Sequence, residues 1–204
     1  MKRDIWYGAA IGFLMGLFTL PVLKNVELAE KIPYFYWLIF LGLPVASAVG
    51  VAVSRWIGRR IPFIWQAAKF VLIGAFNTAI DFGILNVLIF ATGYDKGLAL
   101  AALNICSTSI AILNSYWWNS KWVFEGASKK QGREFLAFLA VTVIGIALNS
   151  ATVLLITGFI APFDGLTGEQ WANLAKVLAT AASLVWNFTG YKFIVFKKAR
   201  SASA

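Results

Sequence analysis

One carboxylate stands in the middle of an apolar run. The stretch from Lys69 to Leu88, KFVLIGAFNTAIDFGILNVL, carries Asp81 near its centre and Asn77 four residues earlier. About 20 mostly apolar residues suffice to cross a bilayer as a helix. The i,i+4 spacing puts both polar side chains on one face of that helix. A carboxylate at such depth costs roughly 2.5–3.5 kcal/mol even on lenient insertion scales, so it marks a substrate path, a proton site or an interior ion pair. Further polar groups recur inside later apolar runs: Asn104, Asn149, Lys176 and Asn187. Cations stand at the ends of those runs: Arg59, Arg60, Lys69, Lys121 and Lys192, with Trp118 and Trp122 beside them. Lysine and arginine there suit anionic headgroups.

The elements that must position these groups are membrane helices. The chain has 204 residues, 60% hydrophobic and 13% charged, with a mean hydropathy of +0.75. That composition excludes a soluble domain and predicts an all-α polytopic membrane bundle. Six spans are expected: about Ile5–Leu23, Tyr34–Ser54, Phe70–Ala91, Leu98–Trp118, Phe135–Thr157 and Trp171–Gly190. The first is read as a retained span rather than a cleaved leader. Its glycines, Gly8, Gly12 and Gly16, form a smooth stripe for close packing. Pro44 is expected to bend the second. Between spans two and three, RWIGRRIPFIWQAAK alternates Arg55, Arg59 and Arg60 with large apolar residues, which suits the headgroup region. The net charge of +9 is concentrated on the side shared by both termini, so both are expected in the cytoplasm. The charge is read as orientation and attraction to anionic lipid, not as nucleic-acid binding. The chain has no histidine and one cysteine, Cys106. Metal sites and histidine relays are therefore not expected. With no nucleophile–base pair and no phosphate-binding glycine loop, neither enzymatic activity nor a cofactor is expected.

The last four spans read as an internal repeat. FVLIGAFNTAID from Phe70 aligns with FLAVTVIGIALN from Phe138, matching Asp81 to Asn149 and Asn77 to Gly145 at an offset of 68. NSKWVF at 119–124 aligns with YKFIVF at 191–196 at an offset of 72, which also matches Asn104 to Lys176, Thr108 to Thr180 and Ser115 to Asn187. Each unit contains two spans, so the repeat is parallel, about an axis normal to the membrane. The polar stripes Lys176, Thr180, Ser183, Asn187 and Thr142, Gly145, Asn149, Thr152 should face an interior. Asp81 and Lys176 are expected to share that interior and to pair, directly or through water. The domains are then 1–65, two helices with a basic interfacial segment; 66–198, a four-helix core with repeat units 66–124 and 131–196; and 199–204, a disordered tail.

KFVLIGAFNTAIDFGILN, the exit NSKWVF and the final NFTGYKFIVF together resemble the GtrA-like family of small bacterial membrane proteins. The resemblance spans residues 66–198 and leaves two extra spans before it. It implies a bacterial cytoplasmic-membrane protein that translocates a polyprenyl-phosphate-linked sugar for glycosylation of a surface polysaccharide. On that reading Asn77, Asp81, Asn104, Asn149, Lys176 and Asn187 supply a polar path for the sugar. Lys69, Lys121, Lys192, Arg59 and Arg60 gather the phosphate, and Trp122 stacks on the sugar or anchors the interface. Expected partners are the lipid-linked sugar and anionic lipid, with a glycosyltransferase and a second copy of the chain as candidates. Two alternatives remain open: a non-transporting membrane adaptor that recruits a glycosyltransferase, and a small-molecule or proton-coupled exporter using Asp81.

Overall fold

The computed structural model describes residues 2–25, 34–94, 97–125, 131–163 and 168–196, and every described element is helical. The order is α1 (Lys2–Asn25), α2 (Phe35–Gly58), α3 (Pro62–Thr92), α4 (Gly97–Trp118), α5 (Gln131–Phe159) and α6 (Gly168–Gly190). Among the described residues, Lys2–Val22, Phe35–Gly58, Pro62–Thr92 and Arg133–Ile156 are long and apolar enough to cross a membrane. Large apolar side chains face outward, as on Phe90 and Leu98, which are 89% and 91% exposed. Such an exterior suits lipid and not water. The expected tail 199–204 and the side chain of Lys176 lie outside the described residues.

The chain divides into two compact units, Met1–Glu125 and Gly126–Ala204. In the first, α1 packs on α2 and α3, and α4 packs on α3. The glycine stripe makes the first of these contacts. A Cβ on Gly12 would lie 2.5 Å from the Leu43 carbonyl oxygen, and one on Gly8 would lie 2.9 Å from Val51. On α3, a Cβ on Gly83 would lie 2.2 Å from the Phe18 carbonyl oxygen of α1. The backbones therefore meet where no side chain intervenes, the packing that small residues permit in lipid.

Helix α2 contains a π-helical turn, Leu38–Gly42, with Pro44 two residues beyond it. Helix α3 has 31 residues, about 46 Å at 1.5 Å per residue, against a hydrocarbon core of about 30 Å. Its length therefore exceeds the apolar layer, and Trp65 and Lys69 lie in its first turns. The basic segment 55–69 is accordingly a corner: the end of α2, a turn, and the start of α3.

In the second unit α5 packs on α6. Phe138 stacks on Tyr191 at 4.5 Å, Thr142 Oγ1 lies 2.7 Å from the Tyr191 hydroxyl, and Trp186 Nε1 donates to the Val141 carbonyl at 3.0 Å. Both α4 and α6 run on into a five-residue π-helical turn, Asn119–Val123 and Tyr191–Val195. Each turn is closed by a phenylalanine: Phe124 N–H donates to Asn119 O at 2.9 Å, and Phe196 N–H to Tyr191 O at 2.8 Å. The backbone angles of the two phenylalanines also agree, at φ −112°, ψ 42° and φ −99°, ψ 38°.

Candidate functional site

Two polar rungs join α3 to α4. Asp81 Oδ1 accepts from Ser107 Oγ at 2.7 Å and from Thr108 Oγ1 at 3.1 Å. About one turn away, Asn77 Oδ1 accepts from Asn114 Nδ2 at 2.7 Å. Ser107 is fully buried, whereas Asp81 and Asn77 are half-buried. Both bonds to Asp81 reach the same oxygen, and Oδ2 has no hydrogen-bond partner among the described residues. A carboxylate aimed by two hydroxyls thus keeps an acceptor for a further donor, such as a hydroxyl, an ammonium or water. Asn104 is exposed, and it meets this rung through its carbonyl oxygen, 3.0 Å from Ser107 Oγ.

A second cluster sits where the start of α1, the end of α2, the start of α3 and the exit of α4 converge. Asp4, only 5% exposed, accepts from Arg55 and, at 3.1 Å, from Trp122 Nε1. Arg3 pairs with Glu125. Lys69, also 5% exposed, donates to the Trp122 carbonyl and lies 4.9 Å from the Trp65 ring centre. Gln66 Nε2 donates to Val123 O at 3.4 Å. The last carbonyls of a helix lack partners within it, and a cation suits that end of the helix dipole. Lys69 and Gln66 supply what the exit of α4 needs.

Trp122 belongs to this cluster and not to a surface. It is 0% exposed, with Tyr7 and Trp118 edge-on at 5.7 and 5.8 Å. Its ring therefore offers no face to a sugar, because the neighbouring aromatics and Asp4 already occupy its surroundings. Lys121 is exposed, as are Arg59 and Arg60. In the second unit, Asn149 and Asn187 are half-buried, and Asn187 Oδ1 is enclosed without a hydrogen bond among the described residues. It presses on Gly145, whose Cβ would lie 2.3 Å from it. Lys192 lies over the Phe188 and Phe193 rings, at 5.5 Å from each.

The residues brought together are thus Asn77 with Asn114, Asp81 with Ser107 and Thr108, and Lys69 with Trp122. Ser107, Asn114, Asp4 and Arg55 were not singled out from sequence as site residues. The polar run Ser107-Thr108-Ser109 inside an apolar span is the signal that could have found the first.

Apolar helices with interior polar rungs and a charged end define a multi-pass membrane protein. Residues 69–200 match the family described as GtrA/DPMS, transmembrane domain, and the chain belongs to that family. The family is non-catalytic, and α1, α2 and the first turns of α3 precede the match. The chain is 32% identical over 128 residues to the uncharacterized membrane protein YngA of Bacillus subtilis (strain 168), covering 63% of this chain and 77% of the relative. It is 26% identical over 134 residues to the uncharacterized membrane protein YwcD of the same organism, covering 64% of this chain and 96% of the relative. No solved structure matches the chain.

Proposed function

We propose that this protein moves a polyprenyl-phosphate-linked sugar from the cytoplasmic to the outer leaflet of a bacterial cytoplasmic membrane, for glycosylation of a surface polysaccharide. The observation that carries the reading is Asp81. Its Oδ1 is held by Ser107 and Thr108, and its Oδ2 is left as an acceptor. A sugar is a dense set of hydroxyl donors, and a fixed acceptor within a span offsets part of their desolvation. Family membership supports a transport role.

The topology proposed with it has six spans, both termini in the cytoplasm, and a parallel repeat of α3–α4 in α5–α6 that forms a core over 66–198. The paired π-helical exits support the repeat, because they fall 72 positions apart with the same closing bond. Side-chain size at the matched positions is consistent with it: Asn77 and Ser115 in one unit correspond to Gly145 and Asn187 in the other, where Asn187 packs on Gly145. Asn104, Asn149, Lys176 and Asn187 extend the polar path in this proposal. Lys121, Lys192 and Arg60 gather anionic headgroups.

The test uses proteoliposomes containing the purified protein and a labelled polyprenyl-phosphate sugar, with appearance of the sugar in the far leaflet followed over time. Wild type should transfer, and Asp81→Asn should lose at least tenfold in rate while inserting normally. Equal transfer by the variant refutes the role of Asp81. A folded wild type that moves nothing would favour the adaptor reading, which a bound glycosyltransferase would then establish.

A further inference from the structure

The two helices that precede the family domain carry cations beyond those that topology requires. A cavity of about 430 Å³ lies among Arg3, Arg55, Arg59 and Lys69, with Asp4 and Glu125 in its wall. Four cations against two acids leave it net positive by two. Its volume lies in the range of small-ligand sites, about 300–1,000 Å³. Three of the four cations come from α1 and from α2 with its following turn, before the family match begins at Lys69.

The acids orient the cations and do not exhaust them. Asp4 holds Arg55, and Glu125 holds Arg3. Each guanidinium has five N–H donors and each lysine three. Lys69 spends one on the Trp122 carbonyl, and the Arg59 side chain has no partner among the described residues. A buried lysine with free donors, walled by three arginines, matches an anion with several acceptor oxygens. Phosphate fits better than a single carboxylate, because guanidinium groups bind it bidentately and from more than one direction.

The depth selects the source of that phosphate. Trp6 and Trp56, 73% and 70% exposed, flank the cavity in sequence, and Phe63 is 54% exposed. Exposed tryptophans at the end of apolar helices mark the headgroup level. Helices α2 and α3 also enclose an apolar groove of about 600 Å³, which begins at Ser54 and Phe63 and runs to Ala46 and Ala75. It starts at the level of the cavity and descends into the span, so a lipid chain can lie along it.

We infer that the cavity among Arg3, Arg55, Arg59 and Lys69 binds the phosphate of a membrane lipid, and that the helices preceding the family domain complete it. The inference deepens the reading above and rests on it only in favouring an isoprenyl lipid. Binding is measured without transfer, so loss of transfer leaves this site standing, and loss of binding leaves Asp81-dependent transfer standing.

The experiment measures equilibrium binding of radiolabelled farnesyl phosphate to the full chain in zwitterionic micelles. Farnesol, inorganic phosphate and phosphatidylglycerol serve as competitors. Arg59→Gln, which breaks no pair among the described residues, should weaken binding about tenfold, and Arg55→Gln/Arg59→Gln further. Arg133→Gln, exposed and outside the cavity, should leave it unchanged. Higher salt should weaken binding in wild type. Displacement by phosphatidylglycerol as effective as by farnesyl phosphate supports a general lipid-phosphate site, and weaker displacement supports an isoprenyl one. Equal affinity in wild type and Arg59→Gln overturns the proposal. So does displacement by farnesol or by inorganic phosphate as effective as by farnesyl phosphate.

Discussion

Adding a methyl group at Gly12 would drive α1 and α2 apart. The new Cβ would lie 2.5 Å from the Leu43 carbonyl oxygen, 2.7 Å from Pro44 Cα and 2.7 Å from Ser47 Oγ. Ordinary contact begins at 3.4 Å, so the two backbones must separate by about 0.9 Å, the difference between 3.4 and 2.5 Å. Two of the three atoms met belong to the backbone and cannot rotate away. A gap of about 0.5–1 Å forfeits a quarter to a half of each dispersion contact it opens, and overpacking costs about 1–3 kcal/mol. Alanine returns about 0.5–1 kcal/mol through helix propensity. Gly12→Ala should therefore destabilise the protein by about 1–2 kcal/mol net. Gly50→Ala is the control, because a Cβ there meets nothing within 4 Å; it should be neutral or slightly stabilising. Reversible unfolding in mixed micelles, followed by circular dichroism, gives both values. If the two variants shift the midpoint equally, the close approach of α1 and α2 at Gly12 is wrong.

Two further substitutions probe the interior polar groups. Asp4→Ala removes the acceptor of Trp122 Nε1 and the partner of Arg55; with Arg55 36% exposed, the cost should be about 2–3 kcal/mol, below that of a fully buried pair. Asp4→Asn, which keeps an oxygen for the indole, should lose about half as much in the same unfolding assay. Asn114→Leu should cost about 1–3 kcal/mol by leaving Asn77 unpartnered, whereas Asn77→Leu/Asn114→Leu should recover most of that loss; a double variant as unstable as the sum of the singles would refute the rung.

Helices were the most legible feature, because an apolar run of span length has few other solutions in lipid. The run read as Leu98–Trp118 is helix Gly97–Trp118, and the glycine stripe of α1 does pack on a neighbour. The partners of Asp81 were not legible. Lys176 was expected, and its side chain lies outside the described residues, while Ser107 and Thr108 supply the bonds that are seen. The reason lies in how hydroxyls behave in helices. Thr78, Ser109, Thr142 and Thr152 all turn back to the carbonyl four residues earlier. A sequence does not reveal which hydroxyls will do this and which will reach across. Ser107 and Thr142 do both, reaching Asp81 and the Tyr191 hydroxyl as well as a carbonyl of their own helix, and a carboxylate rewards the crossing most, because a charge-assisted bond outweighs a neutral one.

The arrangement of the charged end was not legible for a related reason. A count of lysines and arginines bears on orientation alone, and in it Arg3 and Arg55 are interchangeable charges. Burial distinguishes them. Asp4, the fourth residue, is carried inside by α1, and a carboxylate 5% exposed must be paired. It takes Arg55 from α2 and the indole N–H of Trp122 from the exit of α4. Trp122 is drawn inward by the same bond, so a residue type usual at the membrane surface becomes fully buried. One acid therefore ties three helices at one end, and it lies outside the part of the chain that the family match covers. Its position makes the basic cavity a joint product of the added helices and the family domain, so the lipid-phosphate site proposed above needs residues from both.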